Sequence, residues 1–178
     1  MPCKADVAAS VGFPPIAEKH ARILILGSLP SQASLQARQY YAHPQNAFWK
    51  IMGELTGAEG SYAARSEALG RAGIAVWDVL CSSIRPGSMD ADIQMASAAA
   101  NDFVGFFESH ERIRLVCFNG KKAEQMFRRF VPPIASANTL TFASLPSTSP
   151  AYASLSYAQK LQAWRGIIAT EIERGKEQ

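Results

Sequence analysis

Arg22-Ile23-Leu24-Ile25-Leu26-Gly27 is the stretch on which the fold turns. Its unbroken aliphatic side chains leave no polar face, so it reads as a strand covered on both sides, as strands of a parallel sheet are. The glycine ends it. Gly73-Ile74-Ala75-Val76-Trp77-Asp78 and Ile113-Arg114-Leu115-Val116-Cys117-Phe118-Asn119-Gly120 share the form, apolar until a polar residue closes the run. Thr139-Leu140-Thr141-Phe142-Ala143-Ser144, rich in β-branched and aromatic residues and stopped at Leu145-Pro146, makes a fourth strand. Between the runs, apolar residues recur at helical spacing over 46–56, where Phe48, Trp49, Met52 and Leu55 fall together, and over 91–109, 121–130 and 157–173. Strands alternating with helices need crossover connections, which predicts an α/β fold around a parallel sheet.

The composition agrees with one domain spanning 1–178. Of the 178 residues 48% are hydrophobic and 19% charged, ordinary values for a globular chain able to bury a core without a staple. Cys3, Cys81 and Cys117 are odd in number and form no C-x-x-C pair, which argues for reduced thiols and against a zinc or iron–sulfur centre. No apolar run approaches a membrane span and the first ten residues lack a leader pattern, so the expected location is cytoplasmic with no membrane partner. The net charge of +3 is compatible with a polyanionic partner and decides little alone.

In open parallel sheets, ligands gather at the carboxyl ends of the strands. The loops that matter are then 27–46, 78–91, 119–122 and 145–152. The first is long, aromatic and broken by Pro30 and Pro44, a length that is uncommon without a function. It contains neither G-x-G-x-x-G nor G-x-x-x-x-G-K-[ST], so a nucleotide cofactor has little support.

Gly27-Ser28-Leu29-Pro30-Ser31, then Gln39-Tyr40-Tyr41-Ala42-His43-Pro44-Gln45-Asn46-Ala47-Phe48-Trp49, and finally Leu145-Pro146-Ser147-Thr148-Ser149-Pro150-Ala151 resemble the uracil-DNA glycosylase superfamily, most closely its hypoxanthine-DNA (deoxyinosine) glycosylase branch. The resemblance runs from the first strand to the last loop. It implies a three-layer α/β/α sandwich with a central four-stranded parallel sheet, opening on a pocket for a nucleotide rotated out of DNA. Extrusion is needed because the glycosidic carbon is out of reach in the stack, and a deaminated base, being poorly paired, leaves it most readily.

The resemblance also implies roles. Relatives that act on uracil or mismatches carry Asp or Asn soon after the first strand to hold the attacking water. Here Leu29 offers no polar atom. The branch resembled places that role on the Asn of His-Pro-x-Asn, which is Asn46 here, and the same residue suits a helix cap. Gly27, Ser28 and Leu29 would line the base pocket. Tyr41 would stack on the base, with Tyr40 packed beneath it and Phe48 and Trp49 in the core. Asn119 can donate and accept at once, as reading a base edge requires. Asp78 is the carboxylate at a strand end, either a base or a partner of Arg85. His43 in its Pro-bounded turn reads as structural.

On the DNA side, Leu145, Pro146, Ser147, Thr148 and Ser149 form the expected contact loop, with hydroxyls for phosphates and Leu145 or Tyr152 as a wedge. A plain Ser/Pro linker is the alternative. Lys121 and Lys122 stand at a helix start, where the dipole does not favour cations, and either meet phosphate or are solvated. The expected enzyme is a monofunctional, monomeric glycosylase acting on DNA with a deaminated base, with water as nucleophile, no cofactor and no metal. No lysine sits where a Schiff base would form. The competing readings are a catalytically silent nucleic-acid-binding domain, kept open by Leu29, and an esterase using Ser28 or Ser31, which lacks a G-x-S-x-G elbow.

Overall fold

All four apolar runs are strands, and they pair side by side. The computed structural model describes residues 9–177, so Cys3 lies outside the described residues. In chain order the elements are β1 (Ser10–Val11), β2 (Ile23–Gly27), α1 (Gln32–Ala37), α2 (Phe48–Thr56), α3 (Tyr62–Arg71), β3 (Ile74–Asp78), β4 (Leu80–Ser83), β5 (Ala99–Ala100), α4 (Phe103–Ser109), β6 (Leu115–Asn119), α5 (Lys121–Phe130), β7 (Thr141–Leu145) and α6 (Tyr157–Lys176). The parallel sheet has the order β3-β2-β6-β7, and a small antiparallel sheet, β1-β4-β5, flanks it.

The strand order explains the layers. From β2 the chain crosses to β3 on one side, and from β6 to β7 on the other, so right-handed crossovers put α5 on the face opposite α2 and α3. Leu26, Trp77 and Phe118 share one register row and point to the α4–α5 face. There Trp77 meets Phe103 and Phe106, and Phe118 meets Phe127 and Phe142. On the other face Phe48 of α2 packs edge-on against Trp164 of α6, both fully buried. Burial of these rings and of the β2 aliphatics supplies the main driving force.

The helix expected over 91–109 is shorter. Only Phe103–Ser109 is α-helical, started by Asp102, whose carboxylate accepts from Gly105 N at 3.0 Å. Asp90–Asp92 and Met95–Ser97 are 3-10 turns, and Ala99–Ala100 pairs with β4. Alanine's helix propensity is weak beside a sheet edge offering backbone partners, and Arg85-Pro86-Gly87-Ser88 had already set the chain into turns. Conversely α1, inside what read as a loop, is capped by Ser31, and α3 by Ser61.

Cys81 and Cys117 are free thiols, and burial pushes the Cys117 thiol up to about 12. Among the described residues no His/Cys/Asp/Glu group is arranged to hold a metal, and no helix is long and apolar enough to cross a membrane.

Candidate active site

Parallel register aligns the strand ends. Gly27 is opposite Asp78, and Asn119 opposite Leu145, so the last residues of β2, β3, β6 and β7 form one row. That row is the floor of a cleft of about 660 Å³. The residues expected to catalyse, to line the base pocket or to contact DNA all border it: Gly27, Ser28, Leu29, Tyr41, Asn46, Asp78, Asn119, Lys121, Leu145, Pro146, Ser147, Thr148 and Ser149, whereas His43 and Arg85 do not.

One wall is a knot of hydrogen bonds. Asn119 Nδ2 donates to Thr148 Oγ1 at 2.8 Å, and Thr148 N donates to Asn119 Oδ1 at 2.9 Å. Thr148 O in turn accepts from Ala47 N at 3.0 Å, at the start of α2. Thr148 is buried, so its hydroxyl serves the fold rather than facing a phosphate as expected. Asn119 keeps one N–H and one lone pair beyond this pair. Leu145 is a core residue at 5% exposure, and a buried leucine is not placed to wedge into a duplex; Tyr152, the other candidate, is 39% exposed. Ser147 Oγ accepts from Ser149 N, and Pro146 O from Trp164 Nε1, which hold the loop's course.

Asn46 sits where α2 begins. Its Oδ1 accepts from Phe48 N at 3.0 Å, a local turn bond just ahead of the helix, whose N-cap is Ala47; it fixes the carboxamide at the rim and leaves a second lone pair and the amide group. His43 Nδ1 accepts from Gln45 N, the structural part its turn implied. Tyr40 is buried, its hydroxyl donating to Phe13 O and Pro14 O.

The floor is different in kind. Tyr41 has φ 54, a left-handed conformation rare for an aromatic residue, and its ring stacks on Phe48 with centroids 4.0 Å apart. Its hydroxyl is buried. It nears the second amide N–H of Asn119, which draws its pKa down, but no hydrogen bond of good geometry forms. Burial, then Asp78, raise the Tyr41 pKa far above the phenol range. Asp78 is 4% exposed and its Oδ2 also has no partner among the described residues. Burial, then the negative charge of Asp90, push its carboxyl up to about 7 against the pull of Arg85. Gly27 must be glycine: a Cβ there would collide with Asp78 Oδ1 and stand 3.1 Å from the Tyr41 hydroxyl.

Arg85 does not form an ion pair with Asp78. Its guanidinium is buried and donates to Leu29 O and Pro30 O, pinning the turn after β2. Asp90 accepts from the Ser28 hydroxyl, and Gln32 N donates to Ser88 Oγ. The loop carrying Ser88, Met89 and Asp90 thus closes one side of the cleft. Sequence reasoning missed these three, and the available signal was the turn-forming Pro86-Gly87-Ser88 before an acidic pair.

A doubly wound sheet with a polar-floored cleft at its strand ends defines an α/β protein that binds its ligand at the carboxyl edge of the sheet, and comparison gives the family. The profile of the uracil DNA glycosylase superfamily matches residues 14–169, and the chain belongs to that superfamily. Within it, two proteins named hypoxanthine DNA glycosylase, from Methanosarcina acetivorans and Methanosarcina barkeri, are each 40% identical over 115 residues, 63% of this chain and 72% of theirs. The solution NMR structure of a Methanosarcina acetivorans protein described as a uracil DNA glycosylase candidate superposes with TM-score 0.75 at 32% identity, covering 93% of this chain and 99% of that one.

Proposed function

We propose that this protein is a DNA glycosylase that hydrolyses the N-glycosidic bond of a flipped deaminated base, hypoxanthine above uracil and xanthine, and leaves an abasic site. The observation that carries the reading is the pair of buried, unpartnered polar atoms, Asp78 Oδ2 and the Tyr41 hydroxyl, at the floor of a cleft rimmed by Asn46. The names of the relatives point the same way.

Cleavage places positive charge on the sugar and negative charge on the departing base. Below about pH 7 Asp78 holds a proton, and a neutral carboxylic acid offers a donor and an acceptor side by side. Hypoxanthine presents the matching pair, a carbonyl oxygen beside a ring N–H. Asp78 then stabilises the base as it leaves, and Tyr41 supplies a ring face and a hydroxyl. Asn46 uses its free lone pair to hold water against the anomeric carbon; water adds its oxygen there, its proton passes to solvent or the base, and the base leaves with the bonding electrons. Leu29 contributes an apolar wall.

The test is single-turnover cleavage of duplexes carrying one hypoxanthine, uracil or xanthine, with alkali to reveal abasic sites. Hypoxanthine release that falls about 10²–10³-fold in Asn46→Ala is the expected result. Release that survives the substitution removes Asn46 from its role, and no release from any duplex leaves a nucleic-acid-binding domain.

A further inference from the structure

Lys160 is a cation in a place that does not suit one. It is 6% exposed, and its ammonium makes one hydrogen bond, to Ser149 O at 3.2 Å. Among the described residues no carboxylate lies within ion-pair distance of it, and burial draws its pKa down with no acidic group opposing. It also lies in the first turns of α6, behind the Ser156 cap, where the helix dipole repels positive charge. An ammonium has three donors, and a buried charge without a counter-ion is strongly unfavourable. Arg165 on the same helix, by contrast, faces a carboxylate, Glu54, at 3.5 Å.

What surrounds Lys160 says which anion it awaits. The carbonyl it holds belongs to the loop of Ser147 and Ser149 that edges the cleft, and Ala163, one helical turn along the same face of α6, lines that cleft. The exposed Tyr152 ring covers the ammonium, its centroid 5.3 Å from Nζ. We propose that Lys160 is a backbone-phosphate site for the bound DNA strand, shielded by Tyr152 in the free protein and uncovered when that ring turns toward the duplex. The phosphate supplies the counter-charge that the fold withholds, and the two free N–H groups supply its hydrogen bonds. This inference rests on the reading of the chain as a DNA-acting enzyme, without depending on which base is removed.

The measurement is the salt dependence of equilibrium binding to an undamaged duplex. One phosphate contact contributes about 0.9 to the slope of log affinity against log salt, so Lys160→Met should lose about 0.9 of slope. Between about 200 and 50 mM salt its affinity then gains about 3.5-fold less than that of the unsubstituted protein. Lys160→Gln keeps a donor for Ser149 O without the charge, and should lose the same slope; Lys160→Arg should retain it. A full slope in folded Lys160→Met, or its recovery in Lys160→Gln, would make Lys160 a loop pin and overturn the proposal. If the unsubstituted protein shows no salt-dependent binding, the DNA-acting reading falls as well.

Discussion

The two sides of the cleft are built on opposite rules. At the Asn119–Thr148–Ala47 knot every buried polar group has a partner, and three distant stretches of chain are tied into one wall. At the floor, Asp78 Oδ2 and the Tyr41 hydroxyl are equally buried and have none. A satisfied network holds shape, and an unsatisfied one stores affinity for what arrives. The difference teaches that the knot is scaffold and the floor is where a substrate's polar edge belongs.

Substitutions should separate them by the sign of the stability change. Asn119→Ala strips the knot of both bonds and leaves buried Thr148 N without an acceptor, so stability should fall by about 3 kcal/mol in denaturant unfolding. Thr148→Val keeps the backbone bonds and removes only the hydroxyl, a loss of about 1–2 kcal/mol in the same experiment.

Asp78→Asn should do the reverse at high pH. The folded carboxyl titrates at about 7 against 3.8 for the free group, so its contribution to stability is complete below the lower value and lost as pH rises through the upper one. The variant should therefore melt above the unsubstituted protein at about pH 8, with the gap closing towards about pH 4. Cleavage by the unsubstituted protein should decline above about pH 7 and the variant's profile should be flat there. An Asp78→Asn protein that melts lower at high pH would break the comparison, since the floor would then be structural.

Tyr41→Phe is the smallest change. Deleting a hydroxyl without a partner should leave stability within about 0.5 kcal/mol while slowing hypoxanthine release, read by melting and single-turnover rates on one preparation.

Much of this is legible in the sequence. The strands at 22–27, 73–78 and 113–120 announce themselves because burial on both faces favours apolar side chains, and the one at 139–144, an exposed edge strand, through its β-branched and aromatic residues; the strand-end rule then gathers Gly27, Asp78, Asn119 and Leu145. Of the loop over 84–98, the part to 91 is legible as a strand-end loop, but the part after it reads as helix. Its alanines carry a helical preference that the pairing of Ala99–Ala100 with β4 overrides, and the bond of Asp90 to Ser28 is a contact across 62 residues that no local pattern announces. Nor does a sequence say that Thr148 turns inward while Ser147 and Ser149 beside it do not. That depends on where Asn119 ends β6, a long-range fact.

The Thr148 knot also orders events in time. Its three points of support lie at positions 47, 119 and 148, so the wall of the cleft cannot assemble until the chain through Thr148 is available. A chain without β7 would leave β6 as a bare sheet edge and Asn119 without Thr148, so the last strand closes both the sheet and the cleft wall.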